Sequence, residues 1–366
     1  MKLVFALALV AAVSATWTKV GDVSDIITAM QFTNETNGYA ASSSQSNPGV
    51  AALDTVDGGK TWTLHTVGEG LLPLGIAVAP PSILVAGLFV DYISHDNGAT
   101  FAETKGAHVQ SQCQRAANGQ FYSVGGSDIG DGQGVCVSSD GGNTFKSFFA
   151  PCATTSARYG AFPSKTTWFL TLGSWPETDD DAPAQDDDPP AFGMATMARR
   201  LRQAAAPNAT GWAAQIVGTT DGGATWTSQF SETGSFYFNE VACADETHCC
   251  ASGEADNTSP TPGVRIYCTE DGKTWTKNYF DASGAGLMTM ASLGNNLWKA
   301  GGTCASGNTA VPCFYTSSDN GKTWTQDLVE GVGEVAIIAS SFPNDKVGYA
   351  AGIDQFNSME ILKWTA

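Results

Sequence analysis

Short apolar runs broken by Gly, Asn, Asp and Ser recur along almost the whole chain, the pattern of strands joined by tight turns. Residues 26–32 lead through a polar turn to Gly38-Tyr39-Ala40-Ala41 and then to 50–55. Near the other end, 335–339, Gly348-Tyr349-Ala350-Ala351-Gly352 and 359–364 repeat the theme. Small residues in the second strand of such a unit let neighbouring sheets approach closely. The first fifteen residues read differently. Met1-Lys2, an apolar run over 3–13 and the small residues Ser14-Ala15 predict a secretory signal peptide, with the mature chain starting near Thr16. That run is shorter than the roughly 20 apolar residues a membrane span needs, and no later stretch reaches that length.

A second regularity lies over the strands, the motif S/T-x-D-x-G-x-T-W/F. It occupies 55–62, 94–101, 138–145, 219–226 and 317–324, and a degenerate copy at 268–275 puts Glu270 where the Asp belongs. The acidic positions Asp57, Asp96, Asp140, Asp221, Glu270 and Asp319 stand about 40–50 residues apart, with one gap about twice as long. That is one four-stranded propeller blade per copy. The motif's physics is local. The carboxylate accepts hydrogen bonds from the N–H groups of its own turn, and Gly takes a backbone angle other residues resist. The hydroxyls bond across the hairpin, and the aromatic ring plugs between sheets.

The expected fold is therefore all-β, a seven-bladed β-propeller formed by residues 16–366. The final unit shows three strands and then the chain stops, whereas Thr16-Trp17-Thr18-Lys19-Val20 is a lone strand with nothing before it. Pairing the two completes the seventh blade and protects its sheet edges. The long gap marks a fourth blade carrying an insertion over 177–212.

These turns resemble the Asp-box (BNR) repeats of sialidases, sortilin-type receptors, xyloglucan-degrading hydrolases and photosystem II stability/assembly factor-like propellers. The last group is the nearest, because it pairs an Asp box with a strand like Val347-Gly348-Tyr349-Ala350-Ala351-Gly352 after a polar turn, here Asn344-Asp345-Lys346. The Cys243–Cys249 segment, with its turn over 244–248, is similar to repeats of that group. The resemblance spans nearly all of the mature chain. It implies the fold much more strongly than an activity.

Charge and chemistry narrow the partners. A net charge of −18 argues against nucleic acid as a partner, since phosphates demand Lys and Arg. Nine cysteines in a secreted chain predict disulfides. Strand positions suit the pairs Cys243 with Cys249, Cys250 with Cys268, and Cys304 with Cys313. Cys113, Cys136 and Cys152 would then supply one further bridge and one thiol. With no CxxC pairs, these cysteines predict no metal site, and no cofactor is implied. Sequons at Asn34, Asn208 and Asn257 are candidate glycan acceptors.

In this architecture the Asp turns share one face. Loops between second and third strands emerge on the other face, over 43–49, 128–134, 254–262 and 304–312, and ligand sites favour such loops. The insertion joins them there. It carries Asp179-Asp180-Asp181 and Asp186-Asp187-Asp188, then a short helix pattern over 192–206 with Arg199, Arg200 and Arg202. It reads as an acidic loop, a lid, a calcium-attracting segment or, at Arg199-Arg200, a processing site.

A sialidase needs three converging arginines; outside the insertion only Arg115, Arg158 and Arg265 remain, and they are candidate channel or loop-face contacts. Other glycosidases need two carboxylates across a cleft, and the loop acids Asp128, Asp131, Glu254 and Asp256 show no distinguishing spacing. His65, His95, His108 and His248 are scattered, away from any G-x-S-x-G signature. The expectation is a secreted, noncatalytic propeller binding an extracellular protein segment or glycan through its loop face. The alternative is a secreted glycoside hydrolase of the Asp-box superfamily.

Overall fold

The computed structural model describes residues 16–43, 49–69, 73–87, 90–107, 109–127, 130–176, 211–306, 309–330, 332–354 and 358–366. Residues 1–15, expected to be a signal peptide, most of the insertion and the sequon at Asn208 lie outside them, as do Asp128 and His108. Every element among the described residues is a strand, and the strands form seven four-stranded antiparallel sheets. No helix there is long and apolar enough to cross a membrane.

Six blades are consecutive in the chain. Counted from the axis outward, the first comprises Ile26–Phe32, Gly38–Ser43, Val50–Thr55 and Thr63–Gly68. The next five begin with the innermost strands Gly75–Ala79, Val109–Ala117, Ala157–Ala161, Tyr237–Cys243 and Gly284–Gly294. The seventh blade takes Ala336–Ser341, Val347–Ile353 and Met359–Thr365 from the end of the chain and Thr16–Val23 from its start. Those two terminal strands pair antiparallel from Thr16↔Thr365 to Val23↔Met359, with a bulge between Lys19 and Gly21. The ring is closed by the chain's own two ends.

The core is divided among the blade interfaces. Seven clusters of buried side chains occupy the seven contacts between neighbouring sheets. At the contact between seventh and first blades, Tyr349 stacks on Phe32 at 3.6 Å. At the contact between sixth and seventh, Trp17 stacks on Phe314 at 4.2 Å and meets Phe342 edge-on. Glycines set how closely the strands can pack. A methyl group on Gly302 would lie 2.0 Å from the Gly286 carbonyl oxygen.

The turn between third and fourth strands uses one hydrogen-bond pattern in six blades. In the first, Asp57 Oδ1 accepts from the Thr55 hydroxyl at 2.9 Å and from the Lys60 and Thr61 amides at 3.0 Å. Its Oδ2 accepts from the Thr61 hydroxyl at 2.7 Å. Asp96, Asp140, Asp221 and Asp319 each accept from the amide and hydroxyl of the Thr four residues on. These bonds lower the carboxyl pKa to about 2 in all five. The residue after the Asp sits in the left-handed region, as Gly58, Gly141 and Gly222 or as Asn97 and Asn320.

The fifth blade corrects one assignment. Glu270 does not take the acidic position. Asp271 does, accepting from the Thr269 hydroxyl at 3.0 Å and the Thr274 amide at 2.7 Å. This turn is one residue shorter, so counting back from Trp275 lands on the wrong acid. Glu270 is exposed and pairs with Lys322 at 3.0 Å.

Disulfides join Cys243 to Cys249, Cys250 to Cys268 and Cys304 to Cys313. The first two tie the inner three strands of the fifth blade across directly paired positions. The fourth bridge expected among Cys113, Cys136 and Cys152 does not form. Cys113 packs toward the fourth blade and Cys136 toward the second, on opposite faces of one sheet.

Candidate functional site

The innermost strands govern what lines the axis. In six of them the register with the second strand breaks near the middle or start, skipping Thr28, Gln112, Arg158, Asn239-Glu240, Met288 and Ile338. A bulge re-aims the side chain it displaces. The innermost strands together enclose a central cavity of 240 Å³ lined from all seven blades, with Gln31, Gln114, Tyr159, Met288 and Ser340 in its wall. A second cavity of 210 Å³ follows on the Asp-turn side, bordered by Phe162, Pro163 and Cys243. Arg115 lines both.

Arg115 spans the channel. Its Nη2 meets Glu240 Oε1 at 2.6 Å, past the fourth blade, and its Nη1 donates to the Gln114 carbonyl at 2.9 Å. Glu240 Oε1 also accepts from the Val241 amide at 3.0 Å. Burial pushes the Glu240 carboxyl up while Arg115 opposes the shift. Burial likewise raises the Tyr159 phenol to about 12 and the Cys113 thiol to about 11. The channel's cation and acid therefore neutralise each other.

The three candidate arginines do not converge. Arg158 leaves the axis and is wedged between the fourth and fifth blades, its guanidinium 4.8 Å from the Trp175 ring centre and 5.1 Å from that of Tyr237. Arg265 lies on the third strand of the fifth blade, between Phe236 and Phe280, and donates to the Thr261 carbonyl at 2.5 Å. Only Arg115 lines the central cavity.

The loop acids are used locally. Glu254 Oε1 accepts from the Tyr237 hydroxyl and its Oε2 from the Leu287 amide at 2.5 Å, joining the fifth blade to the sixth. Asp256 caps the Thr258 amide at 2.8 Å, and Asp131 is exposed. The histidines serve turns and sheets: His65 meets Asp54, His95 lies between Ser82 and Asn143, and His248 meets Asp245. Asn34 and Asn257 are both exposed. Among the described residues no cluster of His, Cys, Asp and Glu can hold a metal ion.

Sequence reasoning passed over Glu240, Tyr237 and Asn239. A signal existed: Asn239-Glu240 and Gln114-Arg115 are polar pairs inside innermost strands, and Gln114, Asn239 and Glu240 are buried there.

No protein-family model matches the chain, and no curated protein matches it. Solved structures do. YCF48 bound to D1 peptide superposes with a TM-score of 0.60 at 13% identity, over 96% of this chain and 95% of that one. YCF48 from Cyanidioschyzon merolae gives 0.58 at 14% identity, over 96% and 98%. The GH74 xyloglucanase from Xanthomonas campestris gives 0.53 at 13% identity, over 93% of this chain and 60% of that one. The likeness is one of fold.

Proposed function

We propose that this chain is a secreted, noncatalytic binding propeller that takes an extracellular protein segment or a glycan on the face opposite the Asp turns. The observation that carries this reading is how the acids near the axis and mouth are employed. Glu240 is held by Arg115 and a backbone amide, and Glu254 by Tyr237 and the Leu287 amide. A glycosidase needs two carboxylates facing each other across the sugar, whereas these acids hold blades together. A rigid ring bearing loops on one face is a scaffold for recognition. Propellers of this shape include one captured with a peptide and one acting on a glycan. Three disulfides fit an oxidising compartment.

The test presents the purified protein to a glycan array, a peptide library and a panel of aryl glycosides. Saturable binding without turnover supports the reading. Glycoside turnover that disappears in Glu254→Gln would overturn it in favour of a hydrolase.

A further inference from the structure

The ion pair that crosses the axis is only partly used. Both bonds that Glu240 accepts, from the Arg115 guanidinium at 2.6 Å and the Val241 amide at 3.0 Å, fall on Oε1. Its Oε2 accepts none among the described residues, yet protein does not seal it off. A guanidinium carries five N–H donors, and Arg115 uses two, toward Glu240 and the Gln114 carbonyl. The Tyr159 hydroxyl likewise has no partner among the described residues and is not sealed off. A carboxylate oxygen, a phenol and guanidinium N–H groups left unpaired together call for a physical explanation.

All three residues border the central cavity of 240 Å³. The Arg115 side chain is 37% exposed there and that of Glu240 10%. Tyr159 lies near both: after burial, the Glu240 charge raises its phenol and the Arg115 charge opposes this. Leu74 and Gly75, at the loop-face start of the second blade's innermost strand, also line the cavity, so it reaches toward that mouth. Met288 and Ile338, both partly exposed, add apolar wall. Pockets for drug-sized ligands run about 300–1,000 Å³. This one is smaller, with room for about eight waters at roughly 30 Å³ each. It suits one small molecule, not a length of polymer.

We infer that Arg115, Glu240 and Tyr159 form an axial site for a zwitterionic α-amino acid with a short apolar side chain. The ligand's carboxylate takes the free Arg115 N–H groups and the Tyr159 hydroxyl, and its ammonium donates to Glu240 Oε2. Met288 and Ile338 cover the side chain. Charge decides between ligand classes. A lone anion at Arg115 stands beside the Glu240 carboxylate, and a lone cation at Glu240 stands beside the guanidinium. Away from bulk water either repulsion is strong. A molecule carrying both charges on one carbon is attracted at both ends. Its bonds join two ionised partners, whereas each bond of a neutral sugar here has only one. The site lies on the axis and does not rest on the loop-face reading above.

The experiment titrates the purified full chain by calorimetry with L-alanine and L-valine. Each runs beside its N-acetyl form, which keeps only the carboxylate, and its amide, which keeps only the ammonium; glucose is the neutral arm. At least one free amino acid should saturate a single site and bind about tenfold or more tightly than every other arm. Tyr159→Phe keeps the ring and removes only the hydroxyl, and it should weaken that binding about tenfold. Breaking one side of the ion pair strands a buried charge, so both charges are removed together, as Arg115→Met with Glu240→Gln. That variant, its fold checked by near-UV circular dichroism, should lose the preference for the zwitterion. If it does not fold, Tyr159→Phe and the blocked arms decide the matter. No saturation by either amino acid, equal affinity for a blocked form, preference for glucose, or indifference of the variants would each overturn the site. A loop-face ligand found or missed on the array bears on none of these results.

Discussion

Replacing Trp17 with Ala tests whether the terminal strand closes the ring. Trp17 lies on the first strand of the chain, yet its ring stacks on Phe314 of the sixth blade and meets Phe342 of the seventh. An indole buries about 150–250 Å² when fully covered. Trp17 is partly buried, so about half that area at about 25 cal/mol/Å² gives roughly 2–3 kcal/mol. The stacked pair adds about 1 kcal/mol. Its Nε1 is buried without an acceptor, so truncation also relieves a desolvation cost of about 1 kcal/mol. The net loss is about 2–3 kcal/mol. Unfolding entropy of about 2.1 cal/mol/K per residue over roughly 350 residues converts this to a fall in Tm of about 3–4 °C. Differential scanning calorimetry measures it, with Trp17→Phe as the control that keeps a stacked ring and most of the stability. A Tm unchanged within about 1 °C for Trp17→Ala would refute the claim that this strand's docking stabilises the closed ring.

Other consequences follow from the same geometry. Asp140→Ala removes bonds from the buried Ser138 hydroxyl and from the exposed Thr144; their loss costs about 1 kcal/mol, lowers Tm by about 1–2 °C and leaves loop-face binding intact. Because the carboxyl pKa of Asp57, Asp140 and Asp319 is depressed to about 2, their contribution is complete above the ordinary carboxyl pKa near 3.8 and is lost as pH falls through about 2; urea midpoints measured from pH 5 downward should decline less steeply in Asp140→Asn. Arg115→Met leaves Glu240 buried beside no cation and, with the Arg115 side chain partly open to the channel, destabilises by about 1–3 kcal/mol, whereas Arg115→Met with Glu240→Gln restores much of the loss, a double-mutant cycle in chemical denaturation. Gly302→Ala drives a methyl against the Gly286 carbonyl at 2.0 Å and destabilises by about 1–3 kcal/mol, while Gly211→Ala, with nothing among the described residues within 4 Å, is neutral.

Much of the architecture was readable one blade at a time. The Asp turns, the alternating strands and the small residues of the second strands are properties of short windows. Local hydrogen bonding and the two-residue period act there without help from distant parts of the chain. Ring closure was legible too, because an orphan strand at the start and a missing strand at the end require one another. The three disulfides follow from strand pairing inside single blades. Where local spacing misled, it did so for local reasons: one residue fewer in the fifth turn moved the acid from Glu270 to Asp271.

The candidate site was far less legible, for a different physical reason. Arg115 and Glu240 are 125 residues apart in sequence and meet only because the axis gathers one strand from every blade. Arg158 turns away from the axis because a single bulge displaces it, and the two rings beside it come from different blades. Cys113 and Cys136 fail to bond because side chains on opposite faces of one sheet belong to different interfaces. The sequence by itself thus determined blade, turn and closure, all set by neighbours along the chain. Only the tertiary structure decided which charges meet, because that depends on where the ring's curvature and its bulges aim side chains drawn from separate blades.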